Sequence, residues 1–252
     1  MNRYKGFNIN NIWVIGLAAI TICFLSGPSA FAQEPARLLL MNGKYLDVIS
    51  LDDTSRVDIT YRFDKNFYRR ENAQIKAARK LGEPYRPGQS YTAVGEYPVL
   101  WTDGTALRSD IFSATPPSGP EKVYYFYDEP LGNYLTEPQM RAFVMGERDA
   151  RYAVRGRGWF YAGLAAGFGG GYALQGSVFT LAIPPLFALA AKIPIVKIKP
   201  EAIIDPQYRD DMDYASGYES VARSRYFIQG LKGSAIGAFL GLLTYSVVEA
   251  NN

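Results

Sequence analysis

Apolar positions along this chain follow three successive patterns. Between residues 37 and 127 they come in short runs with a period of two. In VDITYRF, Val57, Ile59, Tyr61 and Phe63 alternate with polar residues, which predicts a strand with one buried face. LLLM-NG-KYLDVISL predicts two strands joined at Asn42-Gly43 by a type I′ turn. PVLW-TDG-TALR predicts a second hairpin at Asp103-Gly104, and DIFSA with KVYYFY a third around TPPSGPE. Short strands with tight turns predict a small curled sheet or barrel. A polar stretch interrupts them at 64–88. Asp64 is placed to cap a helix that runs to Leu81, with Gly82 ending it and Pro84 beyond.

The second pattern is helical. Thr136 and Gln139 have the capping-box spacing, and Pro138 is tolerated in a first turn, so Gln139–Tyr152 is predicted to be a helix. It leads through Arg148, Arg151, Arg155 and Arg157 into the third pattern, a run without ionisable acids or bases from Gly158 to Ala191. As one helix its 34 residues would far exceed a bilayer core of about 30 Å. The run is therefore expected to divide near Gln175-Gly176-Ser177 into a hairpin of two short helices. Pro184-Pro185 should break or kink the second, making it re-entrant rather than a full pass. A last apolar segment covers 226–248. Between them, Asp205 before Pro206 predicts a helix start, while Asp210, Asp211 and Asp213 lack the glycine and glutamate of a calcium loop and read as solvated.

The glycines of GLAAGFGGGYALQG, residues 163–176, do not make a phosphate loop. They follow a charged helical pattern rather than a strand, and no Lys-Ser/Thr pair follows the last of them. Instead Gly163, Gly167 and Gly171 recur every four residues, and so do Gly233, Gly237 and Gly241. Each set lines one helix face, and small faces let backbones approach closely where lipid offers no hydrophobic drive. The two faces are expected to pack on each other or to oligomerise. Lys232 can snorkel, and Trp159, Tyr161 and Tyr226 sit where an interfacial aromatic belt would lie.

Residues 1–32 read as a signal peptide. Arg3 and Lys5 precede the apolar run IWVIGLAAITICFL, and Ala30-Phe31-Ala32 fits cleavage before Gln33; an uncleaved anchor helix is the competing reading. Cleavage would remove Cys23, the only cysteine, from a chain that has no histidine, and leave 25 basic against 24 acidic residues. That composition removes disulfides, the usual soft metal ligands, and Ser-His-Asp or Cys-His chemistry. Asp103, Asp110 and Asp128 are carboxylates without a spacing that supports acid–base work, so no catalytic residue, metal ligand or cofactor is assigned. Export and near-zero charge argue against nucleic acid. The segment 64–88 carries a net +4 and reads as a solvated helix, or alternatively as a surface for anionic headgroups or an acidic partner.

The order of SDIF (109–112), DEPLGNYLTEPQMRAFVMGERDARY (128–152), a glycine-rich hairpin and YASGYESVARSRYFIQGLKGSAIGAFLG (214–241) resembles uncharacterised envelope proteins common in Bacteroidota. Gly146, Asp149 and Ala150 match their G-x-x-D-A helix, and Gly217, Tyr218 and Ala222 their G-Y-x-x-x-A helix. The resemblance covers most of residues 100–245; it implies architecture and location and lends no activity.

The expected architecture is α+β. A β-rich domain at 33–135, with a helical insertion at 64–82, precedes a helical membrane region at 136–252 holding the hairpin 158–191 and the span 226–248. The expected function is that of a non-enzymatic, membrane-anchored envelope protein that contacts lipid and either self-associates or meets an envelope partner, with no small-molecule substrate identified. A small channel is the alternative. One conflict stands. The hairpin gathers Arg148–Arg157 and Lys192–Lys199 on one side, which the positive-inside rule makes cytoplasmic, whereas the signal peptide would export the adjoining β domain. The signal reading is preferred, with the β domain on the periplasmic side. Helical spans favour the inner membrane.

Overall fold

The computed structural model describes residues 36–87, 89–91, 98–175 and 177–250. The expected signal peptide, with Cys23, lies outside the described residues. The fold is α+β, with six strands and five α-helices among the described residues. The strands are β1 (Ala36–Leu40), β2 (Tyr45–Asp52), β3 (Asp58–Asp64), β4 (Trp101–Leu107), β5 (Ile111–Thr115) and β6 (Lys122–Val123). The helices are α1 (Phe67–Leu81), α2 (Glu137–Ala153), α3 (Arg157–Ala173), α4 (Ile183–Ala190) and α5 (Met212–Ala250).

The strands form one antiparallel sheet in the order β4-β3-β2-β1-β5-β6, open at both ends. It curls without closing into a barrel. In a flat sheet β2 and β6 would stand about 14 Å apart, three strand spacings. Yet the Tyr124 hydroxyl, just past β6, donates to Asp53 at the end of β2 at 3.1 Å, and Lys122 pairs with the same carboxylate. The concave face thereby buries Leu38, Leu46, Val48, Ile59 and Ile111 with little help from helices.

Two turns differ from expectation. The β1–β2 turn is not type I′, because only Gly43 of the pair has a positive φ, +73°. Its N–H donates to the Leu40 carbonyl at 2.9 Å, so a type I turn is followed by a left-handed glycine. Any side chain there would strike α2, whose Arg148 nitrogen would lie 2.6 Å from a Cβ at Gly43. At Asp103-Gly104 there is no hairpin. β4 runs straight through and pairs with β3 from Asp58↔Leu107 to Asp64↔Trp101. Gly104 instead makes room for aromatic rings, since a Cβ would lie 3.0 Å from Phe63 and 3.2 Å from Tyr61. The third hairpin is present but short, with Ser113↔Val123 and Ala114↔Lys122 as its pairs.

The helical insertion begins at Phe67, and Asp64 does not cap it. Asp64 is the buried last residue of β3, where it accepts from the N–H groups of Asn66 at 3.0 Å and Leu100 at 2.9 Å and pairs with Arg70. One carboxylate thus ties both ends of the insertion. Gly82 ends α1 in the left-handed conformation at φ 77°. The α2 capping box forms, with the Gln139 side chain accepting from the Thr136 N–H at 3.0 Å. Asp205-Pro206 starts only a single 3-10 turn. The helix proper opens at Met212, where Asp211 accepts from the N–H groups of Asp213 and Tyr214 at 2.8 and 3.0 Å.

The core does not divide at residue 135. Leu39 and Phe112 of the sheet pack in one cluster with Ala142 and Val144 of α2 and with Tyr214, Tyr218 and Ala222 of α5. The first third of α5 therefore belongs to the sheet's unit, and only its remainder is apolar. At 39 residues, about 58 Å, α5 is the one described helix long and apolar enough to cross a membrane. Pro184-Pro185 open α4 at its first turn, where prolines fit, rather than kinking it.

Candidate functional site: a basic pocket between two glycine seams

The chain from α2 into α3 runs beside α5 in the same direction, and glycines make both stretches of the contact. Below, a Cβ on Gly146 would fall on the Tyr214 carbonyl, and one on Gly217 on the Phe143 carbonyl. Above, all six sequence-predicted glycines lie in one seam. Gly163 faces Gly230, Gly167 faces Ser234 and Gly171 faces Ala238, while Gly233, Gly237 and Gly241 face the carbonyls of Phe160, Leu164 and Phe168. Partners advance together along both helices, so α3 and α5 are parallel. The return from the tip falls to α4, whose Phe187 lies against Gly163 and Gly230.

On α5 the seam residues form one row of fours, from Gly217 through Val221, Arg225 and Gln229 to Gly233, Gly237 and Gly241. Arg225 and Gln229 stand opposite the break between α2 and α3, where Gly156 has a φ of +66° and its Cβ would meet Gln229 at 3.1 Å. There the structure opens a cleft of about 790 Å³.

Six cations line this cleft: Lys76 and Arg79 from α1, Arg151 from α2, Arg155 from the link, Arg157 from α3 and Arg225 from α5. No acidic side chain lines it, and among the described residues none of the six forms an ion pair. Three are fixed by carbonyls. Arg79 donates to Tyr152 at 2.9 Å, Arg225 donates to Val154 and to Ala150, and Arg151 donates to Asn42 at 2.8 Å. Arg79 and Arg225 thereby cap the end of α2, where a helix dipole favours cations. Lys76, Arg155 and Arg157 are exposed, and among the described residues they find no hydrogen-bond partner. Burial, together with Arg155, Arg225 and Arg157 around it, pulls Arg79 below its ordinary pKa. Burial and Arg151 do the same to Arg225. Phe160 and Tyr161 form the wall toward the apolar helices.

A buried polar cluster holds the lower seam in place. Arg148 pairs with Asp149 at 2.7 Å and with Asp205 at 2.9 Å. Asp149 also accepts from the Tyr214 hydroxyl at 2.8 Å and the Ile204 N–H at 2.9 Å. Burial opposes the charge on Arg148, but the two carboxylates hold its proton and raise its pKa; burial raises that of Asp149 against the pull of Arg148. The motif residues Gly146, Asp149, Ala150, Gly217, Tyr218 and Ala222 therefore meet at one helix crossing, although they are some 70 residues apart in sequence. Asp103, Asp110 and Asp128 do not meet. They lie on β4, on the turn before β5, and in a bridge with Asn133. Among the described residues no three His, Cys, Asp or Glu side chains group as metal ligands.

No protein-family model, curated protein or solved structure matches this chain.

Proposed function

We propose that the chain is a non-enzymatic protein of the cell envelope, anchored in the membrane by α3, α4 and the last two thirds of α5. The supporting observation is an inverted pattern of burial. In α3 the buried residues are Gly163, Gly167 and Gly171, and in α4 the one buried residue is Ala188. The large side chains face outward, with Tyr161 of α3 64%, Leu186 of α4 64% and Phe239 of α5 61% exposed. Water would expel such a surface, whereas a bilayer accepts it and leaves small residues to make the helix contacts. The likeness to Bacteroidota envelope proteins fits this reading.

The six glycines are engaged within one chain, so self-association through them is closed while α3 and α5 are paired. The same closeness leaves no lumen along the seam of a single copy, and a channel would need several copies. An envelope partner would meet the sheet unit.

The test is extraction of the full chain from cell membranes at alkaline pH, with Ser118→Cys in a Cys23→Ser background as a reporter of sidedness. An anchored protein stays in the pellet; release into the supernatant overturns the anchor. Labelling of intact spheroplasts by an impermeant maleimide places the sheet outside the cytoplasm. Labelling only after lysis overturns export and upholds the positive-inside rule.

A further inference from the structure

We propose that the cleft at the neck binds a phosphate group, and that in the cell this is the headgroup of an anionic phospholipid whose acyl chains lie along α3. The lipid source rests on the anchored reading above; the phosphate chemistry does not. Three stretches distant in sequence, 76–79, 151–157 and 225, deliver Lys76, Arg79, Arg151, Arg155, Arg157 and Arg225 to one cleft with no carboxylate among its described lining residues. Structural cations are often balanced by carboxylates, as several are elsewhere in this chain: Arg141 pairs with Glu121, Arg148 with Asp149 and Asp205, and Arg223 with Glu219. Here like charges are held together and only half of them serve the fold. Arg79, Arg151 and Arg225 cap or tie backbone carbonyls. Lys76, Arg155 and Arg157 line the same cleft, are exposed, and have no such bond among the described residues. Guanidinium forks suit phosphate oxygens, and several around one group give it more hydrogen bonds than water-exposed single cations can.

Position selects the lipid. The cleft lies where the polar unit ends and the apolar helices begin, with Phe160 and Tyr161 as its upper wall. From there the outer surface of α3 carries Phe168 and Tyr172, each 42% exposed, toward the tip. A headgroup in the cleft would leave its chains beside that surface. Basic pockets between helices at a membrane's edge hold anionic headgroups in this way.

The experiment is native mass spectrometry of the full chain released from micelles holding equal phosphatidylcholine and phosphatidic acid. The wild type is expected to retain phosphatidic acid about tenfold over phosphatidylcholine. The variant Lys76→Gln/Arg155→Gln/Arg157→Gln removes only cations that bond nothing in the fold, and should abolish the preference. Lys65→Gln/Arg69→Gln/Lys80→Gln removes the same charge from exposed positions of the same insertion outside the cleft, and should leave the preference intact. Equal retention of both lipids by the wild type, or equal loss in both triple variants, overturns the proposal. Inorganic phosphate is added alone in a second arm. If it binds the wild type and the lipid does not, the lipid source is overturned and the site takes free phosphate. Extraction at alkaline pH is independent of all these outcomes, so a failed cleft and a failed anchor are distinguishable.

Discussion

Residues 212–225 and 226–250 of α5 pack by the same device in opposite surroundings. Both stretches put glycines against the carbonyls of a parallel neighbour, Gly217 on Phe143 below and Gly237 on Leu164 above. Below, the flanks of the contact are large and buried: Tyr214, Tyr218 and the Asp149–Arg148 pair surround it. Above, the flanks are large and exposed, with Phe239, Leu240 and Leu243 facing away from the seam. Backbone approach is thus a local geometric requirement that either environment can use. What differs is how far the neighbours can yield. A seam ringed by close-packed rings and ion pairs is fixed on every side, while one with open flanks can widen.

That difference ranks the consequences of adding a single methyl. Gly217→Ala is expected to destabilise the sheet unit by about 3 kcal/mol, because neither α2 nor the Asp149 cluster can move aside. Thermal unfolding in detergent measures it. A loss no larger than that of Gly237→Ala would remove the contrast. Gly237→Ala should cost about 1 kcal/mol net, since helix propensity returns about 1 kcal/mol and α3 can shift outward. It should speed tryptic cleavage after Lys192 and Lys197, in the return segment, without changing unfolding of the sheet.

The smallest effect sharpens the lower half of the comparison. Burial raises the Glu71 carboxyl above its ordinary value, with the Tyr152 hydroxyl at 2.7 Å pulling the other way. A carboxyl whose pKa is higher folded than unfolded binds more protons in the folded state, so stability falls as pH rises from 4.5 through the folded value. Glu71→Gln keeps an acceptor for Tyr152 and removes that loss. The variant should melt above the wild type at pH 7 and with it near pH 4. Equal melting at both pH values would mean Glu71 carries no such burden.

Much of this was legible where the signal is local. The period of two in VDITYRF, the Thr136–Gln139 box and Gly82 each depend on a few neighbouring residues; the box and the glycine cap form, and Ile59, Tyr61 and Phe63 share the inner face of β3, while Val57 lies before the strand and is 64% exposed. The glycine spacing was equally visible, and the seam joins the two rows. Asp103-Gly104 misled because an Asp-Gly pair signals a turn, while the need for that glycine comes from Phe63 and Tyr61 on the neighbouring strand. Asp64 misled likewise, since its partner Leu100 stands 36 residues away. The basic cleft had no spacing to find. Its cations belong to three separate stretches, each ordinary in isolation, and the packing of α1 against α2 through Glu71, Tyr152 and Arg79 brings the first two together. That the core spans residue 135 was hidden for a related reason: α5 is continuous, so one element serves both the sheet and the apolar region.

The parallel pairing of α3 with α5 also has a consequence in time. Seventy residues separate Gly163 from Gly233. At about 5–20 residues per second of synthesis, α3 waits several seconds before its partner exists. Of its glycine row, Gly167 and Gly171 have no partner from α4 in that interval; α4, which follows at once, reaches Gly163 through Phe187 and Gly170 through Ile183. Closure of the seam is therefore one of the last events in the making of this chain, and every molecule halted before residue 226 leaves that row open to whatever small-faced helix lies beside it.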